Sequence, residues 1–289
     1  MKGSEVTGDL LERAASYPLG RAQIAVIMAC HNRKDKTLAC LASLCDAAGS
    51  DQLDVFLFDD GSTDGTSEAV RERFSNVQII KGDGTYFWAR GMRTAWEVAK
   101  KLQYSKYLLV NDDDVLDRDS ISRLNHWSEQ LGERCLIGCS MRHPESELAS
   151  YGGMLHSGVN PFRFRHVQPR ANEPMHVDVL HGNFVCVSSA IVDEIGTFAD
   201  YLIHQGGDIE YSLRARRAGF EIRLLPGTYG VCEHNPPRPR YRGFRGIRSL
   251  TSIKSMPTRV AIRLYREYCG RLWALWLSAS YAKAFIFGF

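Results

Sequence analysis

Three consecutive carboxylates, Asp112-Asp113-Asp114, follow the apolar run Tyr107-Leu108-Leu109-Val110 after a single spacer, Asn111. Like charges this close repel, so something positive must offset them. Hard oxygen ligands at such density suit Mg²⁺ or Mn²⁺, usually shared with a substrate phosphate. The competing reading is an acidic solvated turn that caps a helix starting at Ser120. Two more polar clusters stand at comparable breaks. Ala29-Cys30-His31-Asn32-Arg33 closes one apolar run, and Asp59-Asp60-Gly61-Ser62-Thr63-Asp64 closes another. A fourth, Gly207-Asp208-Ile209-Glu210, opens a helical pattern whose Glu210 and Arg214 are spaced for an ion pair on one face.

These groups need a frame. Continuous apolar runs at residues 24–30, 54–58, 77–80 and 107–110 have the length and composition of buried strands. Helical patterns at 37–47, 67–74 and 88–102 separate them. A β-α-β-α-β-α-β order implies a parallel sheet with right-handed crossovers. Polar strand ends should then converge on one crevice at the carboxyl edge. Further on, 135–141 reads as a strand, 142–172 as an irregular excursion, and 177–187 as a strand interrupted by His181-Gly182-Asn183. Residues 188–195 and 207–219 read as helices, and 221–225 as a strand.

The chain has 289 residues, 44% of them hydrophobic, enough for one large α/β domain. Its formal charge of +3 is unevenly placed: residues 234–289 carry eleven Lys and Arg against Glu267 alone, or +10, which leaves −7 on residues 1–233. A basic tail on an acidic body suggests contact with an anionic surface. The tail alternates Arg259, Arg263, Arg266 and Arg271 with Leu272, Trp273, Leu275, Trp276 and a terminal aromatic stretch. That pattern fits a segment lying on anionic lipid, with packing on the body or a homodimer interface as the alternatives. A nucleic-acid partner is disfavoured, since the basic stretch holds no recognised module. The eight cysteines form no CxxC pair or zinc spacing, which reads as reduced core residues in a cytosolic protein. Residues 1–16 lack the apolar stretch of a signal peptide. The expected organisation is an extension over 1–20, a catalytic domain over 21–234 and a tail over 235–289.

The four clusters, in this order, resemble family 2 glycosyltransferases of the GT-A fold, and Glu194-Ile195-Gly196-Thr197-Phe198 with residues 214–220 is similar to bacterial, rhamnosyltransferase-like members. The resemblance spans about residues 22–234. It implies a Rossmann-like, mostly parallel sheet flanked by helices, here followed by a helical C-terminal tail. It also implies a nucleotide-sugar donor. By matching position, Asp60 accepts the imide N–H of uracil or thymine, a charge-assisted bond, and Asp64 caps the following helix. Ala29, His31, Asn32 and Arg33 line the base and ribose, with Asp113 as a further nucleotide contact. Asp112 and Asp114 form the metal pair, Asp112 standing nearer the ribose, and His234 is the third ligand. The metal, Mn²⁺ or Mg²⁺, would stabilise the leaving diphosphate. Asp208 is implied as the base that takes the acceptor proton. The family usually has Glu-Asp there, and this chain has Gly207-Asp208.

Residues 82–92 depart from the family's common patterns. Their aromatics can wall the donor, so Gly84 and Trp88 join the nucleotide contacts, with Arg90 or Arg93 in reach of the diphosphate. His181-Gly182-Asn183 is expected to border the acceptor pocket. The expected activity is inverting transfer from a UDP- or dTDP-sugar to a lipid-linked bacterial surface glycan, at the inner face of the cytoplasmic membrane. The alternatives are a sugar-nucleotide nucleotidyltransferase, against which the absence of glycine from residues 29–35 counts, and a catalytically inactive glycan-binding or scaffold protein of the same fold.

Overall fold

The structure, a computed structural model, describes residues 23–49, 53–233 and 239–288. The expected extension over 1–20 and His234 lie outside them. The first half alternates strictly: β1 (Ile24–Cys30), α1 (Lys34–Ala48), β2 (Leu53–Asp59), α2 (Thr66–Arg73), β3 (Val77–Lys81), α3 (Phe87–Lys100) and β4 (Lys106–Val110). Then come β5 (Val115–Leu116), α4 (Ser120–Leu131), β6 (Cys135–Arg142), β7 (Ala149–Tyr151), β8 (Gly153–His156), β9 (Phe164–His166), β10 (Met175–His176), β11 (Val179–Leu180) and β12 (Phe184–Ser188). The rest is α5 (Ser189–Ile195), α6 (Gly207–Arg217), β13 (Glu221–Val231), α7 (Gly243–Leu250), α8 (Thr258–Tyr268) and α9 (Trp273–Phe287).

The main sheet runs β10-β13-β6-β12-β4-β1-β2-β3. Strands β4, β1, β2 and β3 are mutually parallel, β12 is antiparallel to both β4 and β6, and β13 is again parallel to β6. All seven residues of β1 are buried, as a strand covered on both faces must be. Their alternation splits the core in two. Val26 and Met28 pack with Leu41 and Leu44 of α1 and Ile121 and Leu124 of α4, while Ala25 and Ile27 pack with Met92 and Trp96 of α3 and Tyr211 of α6.

Two stretches differ from the sequence reading. Residues 177–187 are two strands in different sheets: β11 joins β8 and β9 in a small three-stranded sheet, and β12 enters the main one. β13 does not stop at Leu225, because Pro226-Gly227 is absorbed at a register shift between Leu224 and Thr228, with Gly227 at φ 70°. The strand thereby reaches the carboxyl edge and brings Cys232 to the acidic run.

Candidate active site

The strand order places β4 and β2 on either side of β1, so the chain leaves β1 towards one neighbour and returns beside the other, the arrangement that opens a crevice at the carboxyl edge. The loops after β1 and β2 are stapled together there. His31 Nδ1–H donates to the Asp60 carbonyl at 2.6 Å. The Asn32 amide N–H donates to Ser62 Oγ at 2.9 Å, and Asn32 Oδ1 accepts the Thr63 N–H at 2.8 Å. Asp64 spans both helices: it accepts the N–H of Lys34, first residue of α1, at 2.9 Å and that of Thr66 at 3.1 Å. The N-cap of α2 is Gly65 rather than the expected Asp64, which stands one residue earlier and, because the staple brings the start of α1 within reach, accepts N–H groups from both helices.

Between these loops lies a cavity of about 440 Å³. Ala29, His31, Arg33, Asp60, Gly84, Trp88 and Asp112 line it, seven of the nine expected nucleotide contacts. Asn32 is instead held by the staple, and Asp113 faces Arg33. Cys30, Phe87, His204 and Lys254 complete the wall. Asp60 Oδ1 accepts the N–H groups of Gly84 at 2.9 Å and Tyr86 at 3.2 Å, and its Oδ2 accepts that of Phe87 at 2.8 Å. Those bonds hold Phe87 at φ 61°, a left-handed conformation costly for a bulky side chain. Asp59, by contrast, turns away from the cavity: its carboxylate receives Ser62 N–H, the Ser67 hydroxyl and Lys81. Arg90 lies over the Tyr86 ring and is not part of the cavity wall.

The acidic run is not a solvated turn. Asp112 and Asp114 are 5% and 0% exposed. Arg33 reaches both Asp112 Oδ1 at 2.9 Å and Asp113 Oδ2 at 2.5 Å. Asp114 accepts Asn183 Nδ2–H at 3.0 Å and the Asn111 N–H at 3.0 Å. Burial pushes the Asp112 carboxyl up to about 7 against the pull of Arg33, and pushes Asp114 up to about 8 against the Asn183 hydrogen bond. One guanidinium thus serves two of the three acids, and the buried Asp112 Oδ2 has no hydrogen-bond partner among the described residues. A cation would satisfy it, and an oxygen-rich set fits Mg²⁺ or Mn²⁺. Ligand atoms of Asp113, Asp114 and Cys232 lie within 4.8 Å of one another. Burial first, then the charge of Asp114, drives the Cys232 thiol far above its ordinary pKa. Asp117 belongs elsewhere, in a bidentate pair with Arg142.

Asp208 is the second residue of α6, across the Trp88 ring. Trp88 Nε1–H donates to Asn111 Oδ1 at 2.8 Å, and its backbone N–H donates to His204 Nδ1 at 3.3 Å. The six-membered edge of the indole packs on Gly182 and Gly207, where a Cβ would stand 2.8 Å and 3.3 Å from ring atoms. Gly182 donates its N–H to Asp208 Oδ2 at 3.2 Å. Burial raises the Asp208 carboxyl above its ordinary value, with the N–H groups of Ile209 and Gly182 pulling the other way. Glu210 and Arg214 form the expected pair at 2.9 Å, with Glu210 1% exposed. His181 stacks on His166 with ring centroids 4.4 Å apart, beside Tyr151.

Sequence reasoning missed His204 and Lys254. His204 had a signal, standing four residues before Asp208. Lys254 had none: it arrives from the turn between α7 and α8, whose packing is tertiary.

A mostly parallel sheet with an antiparallel β12 beside β4, carrying a buried acid run over a strand-end cavity, defines the GT-A class of nucleotide-diphospho-sugar transferase folds. The profile described as "Glycosyl transferase family 2" matches residues 25–196. The chain belongs to glycosyl transferase family 2. No curated protein sequence matches it. Similar solved structures include S. aureus TarS 1-349 (14% identity, TM-score 0.53, 73% of this chain and 60% of that one) and S. aureus TarS (15%, 0.54, 87% and 43%). TarS 1-349 in complex with UDP is a third (13%, 0.53, 87% and 72%). The chain thus spans 60% of the first and less than half of the second, and at these identities the likeness is one of fold.

Proposed function

We propose that the protein is an inverting glycosyltransferase that moves a sugar from a UDP- or dTDP-sugar to a hydroxyl of a lipid-linked bacterial glycan. The observation that carries this reading is one cavity lined by His31, Arg33, Asp60 and Asp112 that meets, through Trp88, the helix whose first turn holds Asp208. A carboxylate offers about four lone-pair sites. Asp60 uses three for backbone N–H groups, which leaves one for the imide of uracil or thymine. The TarS structure with UDP favours the same donor class.

Asp112 and Asp114 would hold the divalent ion, with His234 as third ligand. His234 follows Cys232 by two residues, a reach of about 7 Å, and Cys232 stands beside Asp114. The ion would neutralise the departing nucleoside diphosphate. Asp208, kept basic by its raised pKa, takes the proton as the acceptor oxygen bonds to the anomeric carbon and the carbon–diphosphate bond breaks. His181, beside Gly182, would border the acceptor.

No helix among the described residues is long and apolar enough to cross a membrane. The tail nevertheless exposes Leu272, Leu275, Ile286 and Phe287, and also exposes Arg266 and Arg271. That pairing fits attachment to an anionic lipid surface, hence the inner face of the cytoplasmic membrane; a homodimer interface is the other use of such a face. The activity is tested by incubating wild type and Asp208→Asn with UDP- and dTDP-sugars, with Mn²⁺ or EDTA. Transfer by wild type that needs the metal and is lost in the variant is expected. Activity in neither supports the inactive-scaffold reading that Gly207 raises, and equal activity in both removes Asp208 as the base.

A further inference from the structure

We infer that Lys254, carried by the turn between α7 and α8, binds the diphosphate of the donor. The inference rests on the nucleotide-sugar reading and goes past it by assigning part of the donor site to the C-terminal segment. Lys254 lines the same cavity as His31, Asp60 and Asp112. Its turn is built, not loose: the Ser255 N–H donates to the Ser252 carbonyl at 3.0 Å, and the Met256 N–H to that of Leu250 at 3.1 Å. Met256 then anchors it, packing against the buried cluster of Ala89, Leu202, Ile203 and Val260, on which Phe87 and Trp88 also pack. Its Cε stands 3.4 Å from where a Cβ on Gly206 would be, two residues before Asp208. One apolar contact therefore sets the turn against both the donor wall and the helix of the proposed base.

The charge inventory gives the lysine its task. A nucleoside diphosphate brings further anionic charge into a cavity already walled by Asp60 and Asp112. An ammonium on a flexible stem is a compact point charge suited to phosphate oxygens.

Calorimetric titration of the full chain with UDP and with uridine, at constant Mn²⁺, tests this. Lys254→Ala should weaken UDP binding by about 10- to 100-fold, as loss of one hydrogen bond to a charged group does, and leave uridine binding within about twofold. Lys254→Arg should keep most of the UDP affinity. UDP binding unchanged in Lys254→Ala, or an equal loss of uridine and UDP, overturns the assignment. A wild type that binds neither UDP nor dTDP overturns the nucleotide-sugar reading itself, and this inference with it.

Discussion

Arg33 Nη1 lies 2.9 Å from Asp112 Oδ1, and this ion pair ties the loop after β1 to the loop after β4 across the mouth of the crevice. The partners stand 79 residues apart in the chain. The bond holds the cavity wall together and is the direct protein counter-charge to a carboxylate only 5% exposed.

Arg33→Ala should therefore destabilise the fold. Stranding a fully buried partner costs about 3–5 kcal/mol, but the Arg33 side chain is 34% exposed, which reduces the expected cost to about 2 kcal/mol. Urea denaturation measures it. A change below about 0.5 kcal/mol would show that solvent already screens the pair.

Asp208 should govern the acid limb of the rate profile. A base works only when ionised, and burial raises this carboxyl above its ordinary 3.8. Transfer should then fall as pH drops through that raised value and level off above it. Asp208→Asn should lower kcat by about 10²- to 10⁴-fold and remove the limb. An unchanged limb in the residual activity would assign it to another group.

Gly182→Ala would set a methyl 2.8 Å from Trp88 Cη2 and 3.4 Å from Asp208 Cβ. Overpacking of this kind costs about 1–3 kcal/mol. Because the displaced groups are the donor wall and the proposed base, kcat should fall more than stability requires. Thermal melting with steady-state kinetics separates the two, and a variant with normal values for both would mean the indole simply slides aside.

Tyr268→Phe removes the hydroxyl that donates to Glu210 Oε1 at 2.9 Å. Glu210 keeps Arg214, so the loss should be about 1.5–3 kcal/mol, the cost of one hydrogen bond to a charged group. A cooperative unfolding transition shifted by that amount would show that α8 folds with the body. A tail that melts separately, leaving the main transition in place, would contradict this.

Much of the first half was legible because its signals are local. Each apolar run of β1, β2 and β4 ends where polar residues begin, so the strand ends and their loops could be read together. The second half was not. Pro226 reads as a strand stop, yet the bulge that accepts it needs β6 alongside. His181-Gly182-Asn183 reads as an interruption, yet it is the crossing between two sheets.

By itself the sequence determined which acids stand at strand ends, since hydrophobic runs decide where strands stop. It also determined the alternating order that makes the sheet parallel, and the family. Only the tertiary structure decided how the charges are used. That Arg33 is committed to Asp112 and Asp113, that Asp114 is sealed under Asn183, and that Lys254 enters the cavity all follow from which strands become neighbours and which helices pack on them. Electrostatic interaction and burial depend on distance in space, and no local pattern of residues encodes that distance.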